Sequence, residues 1–422
     1  MAWETWKLAS PERKLLLATC SGLWLGLFLL AAHSLDLTVP YLPLAIAGGF
    51  IFYLRSSPKV PEQAVWVLLS ASFAAIVHFP PGHNWINAGS GMLALFGLGA
   101  FVLLGLRWLW SGSIERRKTY AMLAPAASLV FFVLFAQRAL NLANLLYPKT
   151  FDLSLYVFDG SFGFQPSFLM GRAMATSALL RIPALLAYTS LPFVMALVYA
   201  LRIPKGAEKP TWDIVTLFML AGFGGWALYN LLPASGPAYV FGPNFPGNSL
   251  PYSMLRRLAL DRIPIPADVP RNAIPSLHMA WVVLLFWNTK SLSRAMRIFM
   301  AVYLALTVIS TLGTGEHYFV DLIASLPFAL FVQAVVWPGD KPKLSVRAAV
   351  AASGLGLTLA WLLLVRFGAK WMLISPALPW ALVAATGVTI FMIRARSSIW
   401  PRGSASVGGA TASPVLAFRA HG

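Results

Sequence analysis

Two histidines in this chain are set apart by their neighbours. His278 follows Arg271-Asn272-Ala273-Ile274-Pro275-Ser276-Leu277, and His317 lies within Gly313-Thr314-Gly315-Glu316-His317-Tyr318-Phe319-Val320-Asp321. Each sits at the edge of an apolar segment. His317 and Asp321 are at i and i+4, on one helix face. A carboxylate there accepts a hydrogen bond from one ring nitrogen and leaves the other as a lone-pair nucleophile of fixed tautomer. His278, about 40 residues away in sequence, can give and take a proton on the opposite side. Pro275-Ser276 opens a helix whose free amides and positive dipole end suit a phosphate. Arg271 adds a planar fork matched to phosphate oxygens. Gly313 and Gly315 allow a sharp turn between helices. Together these residues have the makings of phosphoryl transfer through a phosphohistidine. No cofactor is called for, and a metal is poorly served, since no cysteine and few carboxylates accompany the histidines.

The surroundings that must position these groups are apolar. Of 422 residues, 58% are hydrophobic and 11% are charged, against about 25% charged in a soluble domain. Runs near the roughly 20 residues needed to cross a bilayer recur along the whole length. The expectation is an all-α, polytopic membrane protein, not an outer-membrane barrel. Twelve candidate spans can be drawn, at 15–32, 36–54, 64–79, 90–110, 120–137, 176–201, 212–232, 277–290, 297–313, 319–337, 347–366 and 376–394. Cys20, the one cysteine, falls in the first run and has no disulfide partner within the chain. That run follows Lys7, Arg13 and Lys14 without an obvious cleavage site, so it reads as a span.

Charge orients the spans. The net charge is +18. The basic residues sit in short loops, where they act as topology signals and contacts to anionic lipid, and nucleic acid is not an expected partner. With both termini cytoplasmic, 22 of the 32 lysines and arginines fall inside and 9 outside, with Arg181 inside a span. On this topology Ser276, His278, His317 and Asp321 all reach the extracytoplasmic face. Two outer connections are long, 138–175 and 233–276. The first, with Asp152, Tyr156, Asp159, Gly163 and Pro166, reads as an interfacial or packing segment. His33, His78 and His83 read as ordinary interfacial residues. Residues 403–422 are rich in Gly, Ala and Ser and read as a disordered tail.

Pro275-Ser276-x-His278 and His317-x-x-x-Asp321 resemble the second and third signatures of the type 2 phosphatidic acid phosphatase superfamily. The Arg271-to-His278 and His317-Tyr318-x-x-Asp321 segments are most similar to the inositolphosphorylceramide synthase branch, with sphingomyelin synthases more distant. Tyr229-Asn230-Leu231-Leu232-Pro233-Ala234-Ser235-Gly236-Pro237 resembles the same branch. The resemblance implies a six-helix catalytic core over 120–337, flanked by a four-span extension (1–119) and a two-span extension (338–402). It implies His317 as nucleophile, Asp321 as its orienting partner, His278 as acid and base, and Ser276 and Arg271 as phosphate ligands. Two features of the superfamily are missing. The first signature, a Lys followed by Arg-Pro, is absent, and the Ser-Arg pair ahead of the nucleophile is replaced by Ser310-Thr311. Arg256, Arg257 and Arg262 are the candidates to replace those cations.

The expected activity is therefore a membrane phosphotransferase or phosphatase. Its substrate would be a phospholipid or other lipid phosphate ester, and its acceptor an alcohol or water. An inositolphosphotransferase-like reaction comes first, and hydrolysis of a lipid phosphate or polyprenyl diphosphate second. A reading from a different class is a twelve-span transporter. It would require charged or broken helices at mid-membrane, whereas the ionisable residues here, Arg181 apart, cluster at the span edges.

Overall fold

The computed structural model describes residues 10–34, 41–76, 85–204, 206–290, 292–337 and 342–397. The expected tail at 403–422 and the positions of His78 and His83 lie outside the described residues. In chain order the helices are α1 (Pro11–Ser34), α2 (Leu42–Arg55), α3 (Val60–Ile76), α4 (Trp85–Trp110) and α5 (Ser113–Leu146). After a two-residue strand β1 (Lys149–Thr150) come α6 (Asp152–Gly160), α7 (Pro166–Thr176), α8 (Ala178–Thr189), α9 (Leu191–Arg202) and α10 (Asp213–Tyr229). The second outer connection carries the short helices α11 (Pro237–Phe241) and α12 (Tyr252–Leu255) and the strand β2 (Ile263–Pro264). Then follow α13 (Leu277–Asn288), α14 (Arg294–Gly313), α15 (Phe319–Val336), α16 (Leu344–Met372) and α17 (Ala377–Ser397). The two strands pair antiparallel, Thr150 opposite Ile263, and join the two long connections.

Among the described residues, six helices are long and apolar enough to cross a bilayer, and α2, α9, α10 and α13 are shorter apolar helices. The expected span at 176–201 is two helices, α8 and α9, meeting at Ser190. A second break lies just before it, where α7 and α8 are bent by 115° at Ser177. The Ser177 side chain caps α8 by accepting from the Leu180 amide, so the chain turns without an unsatisfied helix start. The expected boundary at 119/120 falls within α5, because the charged turn Glu115-Arg116-Arg117-Lys118 is helical and continuous with the apolar run that follows. Arg181 is exposed on α8.

The hub is α15, 72% buried inside the protein, where α17 is only 17% buried. It packs against α10, α13 and α16 and also meets α6. Its start is over-determined. Tyr318 is the N-cap, and the Asp321 carboxylate accepts from the Tyr318 amide at 2.7 Å. Asp159 on α6 accepts from the next two amides, Phe319 at 2.6 Å and Val320 at 3.0 Å. A carboxylate facing free N–H groups and the positive end of a helix is well placed. Asp152, about two helical turns earlier on α6, does the same for the Pro233–Pro237 turn, accepting from the amides of Ser235 and Gly236. The first long connection is thus a buried brace that fixes α15 and the second long connection together.

Candidate active site

His317 lies in the turn from α14 to α15. Gly315 makes that turn possible with φ +75°, and a side chain there would meet Ala238 and the Phe245 ring at 2.7 Å. Gly236 faces it across the gap at φ +114°, and its own Cβ would lie 2.4 Å from the Glu316 carbonyl oxygen. The two segments are laced by a hydrogen bond from the Ala238 amide to the Gly315 carbonyl, 2.9 Å. Gly313, expected to share the turn, is instead the last residue of α14. Its bare face admits Met174, whose sulfur would be 2.1 Å from an added Cβ.

The His317 ring is 2% exposed. Its Nδ1 is 2.8 Å from the Ala273 carbonyl oxygen. A carbonyl can only accept, so Nδ1 carries the proton and Nε2 keeps its lone pair. Burial pushes this imidazole down to about 4, against opposing pulls from the Glu316 carboxylate and the Ala273 carbonyl. The ring is therefore neutral near pH 7, as a nucleophile must be. Sequence reasoning expected Asp321 to orient this nitrogen. Asp321 Oδ2 does lie 3.4 Å from Nδ1, but that oxygen is engaged by the Tyr318 amide, and the shorter contact belongs to Ala273. Asp321 Oδ1 is buried with no hydrogen-bond partner among the described residues. Asp321 thus caps α15 and places a carboxyl group beside the ring, while the nearer main-chain carbonyl sets the tautomer.

His278 enters from the first turn of α13. Ser276 is the N-cap of that helix, and its Oγ accepts from the Met279 amide at 3.4 Å. Its main chain is tied to α15 twice: the Ser276 amide donates to the Asp321 carbonyl, and Ser325 Oγ donates to the Ser276 carbonyl at 2.8 Å. This cross-bracing is how α13 delivers His278 beside the start of α15. Ser276 itself, expected to hold phosphate, is fully buried and engaged as a cap. The His278 ring is fixed by aromatic neighbours. Tyr188 stacks on it with centroids 4.1 Å apart and planes at 13°. Tyr41 lies at 5.3 Å and Trp281 edge-on at 6.4 Å.

Arg271 is placed differently from expectation. Its side chain is fully buried, and its guanidinium donates to the main-chain carbonyls of Tyr147, Pro266, Val269 and Ile265. Four carbonyls around one fork leave little capacity for a phosphate, so Arg271 knits the second connection to the end of α5. Two of the other three candidate cations are also directed elsewhere. Arg256 donates to the Leu373 carbonyl, and Arg262 lies over the Phe151 ring at 5.6 Å. Ser310 and Thr311 are buried, with hydroxyls bonded back to carbonyls of their own helix.

His278 and His317 open into one cavity of about 380 Å³, a size that suits a small polar group on a lipid. Its polar lining includes Asn272, Tyr41, Tyr188, Tyr239, Glu316 and Asp268, and among the described residues lining it there is no lysine or arginine. Phe132, Phe223, Trp226 and Trp281 supply much of its apolar wall. The Glu316 carboxylate accepts from the Tyr239 hydroxyl at 2.8 Å, and burial raises its affinity for a proton. Asn272 Oδ1 is buried with no hydrogen-bond partner among the described residues. Sequence reading singled out none of Tyr41, Tyr188, Tyr239, Asn272 or Glu316 as site residues. Glu316 adjoins His317 in sequence, and this was the one signal available.

Residues 153–335 match the family model of the PAP2 superfamily. The match runs from α6 to α15 and contains His278, His317 and Asp321. No curated protein and no solved structure matched the chain. The family match and the apolar helices together support a membrane phosphatase-type function. They are compatible with a lipid phosphate substrate in a bilayer.

Proposed function

We propose that this protein transfers a phosphoryl-containing group from a lipid phosphoester to an alcohol, by way of phospho-His317. The observation that carries the proposal is the shared cavity, with a buried, neutral, tautomer-locked His317 on one wall and His278 on another. Nε2 of His317 attacks phosphorus. The bond from phosphorus to the lipid oxygen breaks, and its electron pair leaves with that oxygen, which takes a proton from the imidazolium form of His278. That form is favoured by the bound phosphate anion and by Glu316 on the same cavity lining. The acceptor hydroxyl then gives its proton to His278 as its oxygen attacks phosphorus. The P–N bond breaks, and its pair returns to Nε2. Splitting one displacement into two gives each step a good partner.

The lining favours a phosphodiester over a doubly charged monoester. A dianion placed beside Glu316 and Asp268, with no lysine or arginine on the wall, would meet repulsion in a partly dry site. Carboxylates and amides accept well from hydroxyls, so a polyhydroxylated headgroup suits Glu316, Asp268 and Asn272. An inositolphosphotransferase-like reaction is consistent with this. Asp321 supports His317 by its carboxyl contact and by capping α15, and Ser276 supports His278 by starting α13.

The proposed architecture has twelve crossings. Residues 120–337 form the catalytic core, both termini are cytoplasmic, and the cavity faces the extracytoplasmic leaflet. The charge bias of the loops and the shorter apolar helices support it. A cysteine at Pro243 should react with an impermeant reagent in intact cells, and labelling only after lysis would reverse the topology.

The decisive experiment is product analysis with purified protein in detergent. Labelled phosphatidylinositol is supplied with ceramide or diacylglycerol, and labelled phosphatidate and a polyprenyl diphosphate are run in parallel. Label moving to the acceptor lipid, and lost in His317→Ala, is the expected result. Free phosphate alone would make the reaction hydrolysis by the same covalent route. Full activity in His317→Ala would overturn the mechanism.

A further inference from the structure

Nothing in the two-histidine chemistry calls for the first hundred residues, and the family match begins only at residue 153. Yet among the described residues one from that region lines the cavity. Tyr41 stands at the start of α2, and its ring is 5.3 Å from the His278 ring and 6.1 Å from that of Tyr188. Its backbone is in the left-handed region, at φ +67° and ψ −16°. A bulky side chain rarely adopts that conformation, and where it does the surroundings hold it there.

The surroundings here are rigid. Residues Leu42 to Gly49 are buried, and α2 packs against α4, α5 and α9. The contacts are at backbone distance: a Cβ on Gly97 of α4 would lie 2.0 Å from the Ile46 carbonyl oxygen, and one on Gly48 would lie 2.8 Å from Ala196 on α9. The second tyrosine is equally constrained. Tyr188 lies between Ala187, whose carbonyl accepts from the Tyr303 hydroxyl at 2.6 Å, and Ser190, whose hydroxyl is 3.2 Å from the same group. Two anchored tyrosines therefore bear on one imidazole, which has no hydrogen bond to set its plane among those described.

We propose that Tyr41 is a positioning residue for His278: the N-terminal extension reaches into the active site, and Tyr41 with Tyr188 holds the imidazole in the plane from which it protonates the departing oxygen. This rests on the reading of His278 as the proton donor. The extension then serves the chemistry as well as the fold. The contacts with His278 are ring to ring, and the Tyr41 hydroxyl bonds to Tyr188, so the ring is the part that bears on the imidazole.

The test separates a proton-transfer defect from general damage. The full-length protein is assayed on phosphatidylinositol or phosphatidate, whichever the wild type turns over. The paired probe is the 4-nitrophenyl ester of the same phosphoryl group, whose phenolate leaves without a proton. Tyr41→Gly deletes the ring at a φ that glycine adopts freely, and Tyr41→Asn, also at home there, serves if the glycine variant does not fold. The rates are read as kcat/KM, so that only the steps through leaving-group departure count and not the later deprotonation of the acceptor by His278. The expected result is a loss of about 10- to 100-fold on the lipid and less than about threefold on the aryl ester. Tyr41→Phe should stay within about threefold of wild type on both. Equal losses on the two substrates, or wild-type rates on both, would overturn the proposal. His278→Ala is the control. If it too fails to discriminate the two leaving groups, the assignment of His278 is wrong and the proposal falls with it.

Discussion

The carbonyl oxygen of Ala273 lies 2.8 Å from Nδ1 of His317, closer than the 3.4 Å to the Asp321 carboxylate. Ala273 is itself held, its amide donating to the Ala234 carbonyl at 2.9 Å. A fixed main-chain acceptor therefore selects the His317 tautomer. The carboxylate that sequence spacing offers for that task serves mainly the helix start.

This division of labour sets the outcome for Asp321→Asn. Asparagine retains an oxygen for the Tyr318 amide, so the cap survives and the melting temperature should change little. What is lost is the carboxyl oxygen's contact with the ring at 3.4 Å. Activity should fall by about 10-fold, since a pairwise term of about 1.4 kcal/mol is at stake and the tautomer is unaffected. A loss as complete as that of His317→Ala, with the fold intact, would return the orienting role to Asp321.

The proposed mechanism sets a pH profile through the burial of His317. In that mechanism His317 reacts in its neutral form, and burial brings its pKa down to about 4 from the ordinary 6.5. The neutral fraction falls only as pH drops through the folded value. The acid limb of kcat/KM attributable to His317 should thus lie near pH 4. Stability should drop earlier: the unfolded chain binds a proton that the folded one refuses between 6.5 and 4, so acidification through that window favours unfolding. Rate profiles on a short-chain substrate, with unfolding followed over the same range, check both limbs.

Arg271→Lys should be a stability defect and not a binding defect. An ammonium cannot reach four carbonyls arranged for a planar fork, and each bond to a charged donor contributes about 1.5–3 kcal/mol. The variant should melt at lower temperature, with KM unchanged in the folded fraction. A raised KM at unchanged stability would restore Arg271 to the phosphate site.

Asp159→Ala should loosen the start of α15 from the other side. It strands two buried amides, at Phe319 and Val320. The expected loss is about 2 kcal/mol of stability, with a drop in kcat because His317 is the second residue before Phe319. Chemical unfolding in mild detergent, with kcat measured well below the midpoint, reads both. Unchanged stability would show that water can replace the carboxylate.

Much of this molecule was determined by sequence alone. Apolar runs bounded by charge dictate helices in a bilayer, because no other open structure satisfies its backbone there. Ser276 before α13 and the Asp321 carboxylate three residues into α15 mark helix starts by local rules. That His278 and His317 would share one site was legible because histidines at span edges with an acidic partner at i+4 are a narrow combination. Tertiary structure decided the rest, and the reason is common to each case. Main-chain carbonyls exist at every residue, so no residue type announces that Ala273 will hold His317 or that Tyr147 and Ile265 will occupy Arg271. Residue types likewise do not reveal how a chain breaks, as α7 and α8 do at Ser177. And Tyr41 meets His278 only because α2 is wedged among α4, α5 and α9, a contact between parts of the chain more than two hundred residues apart.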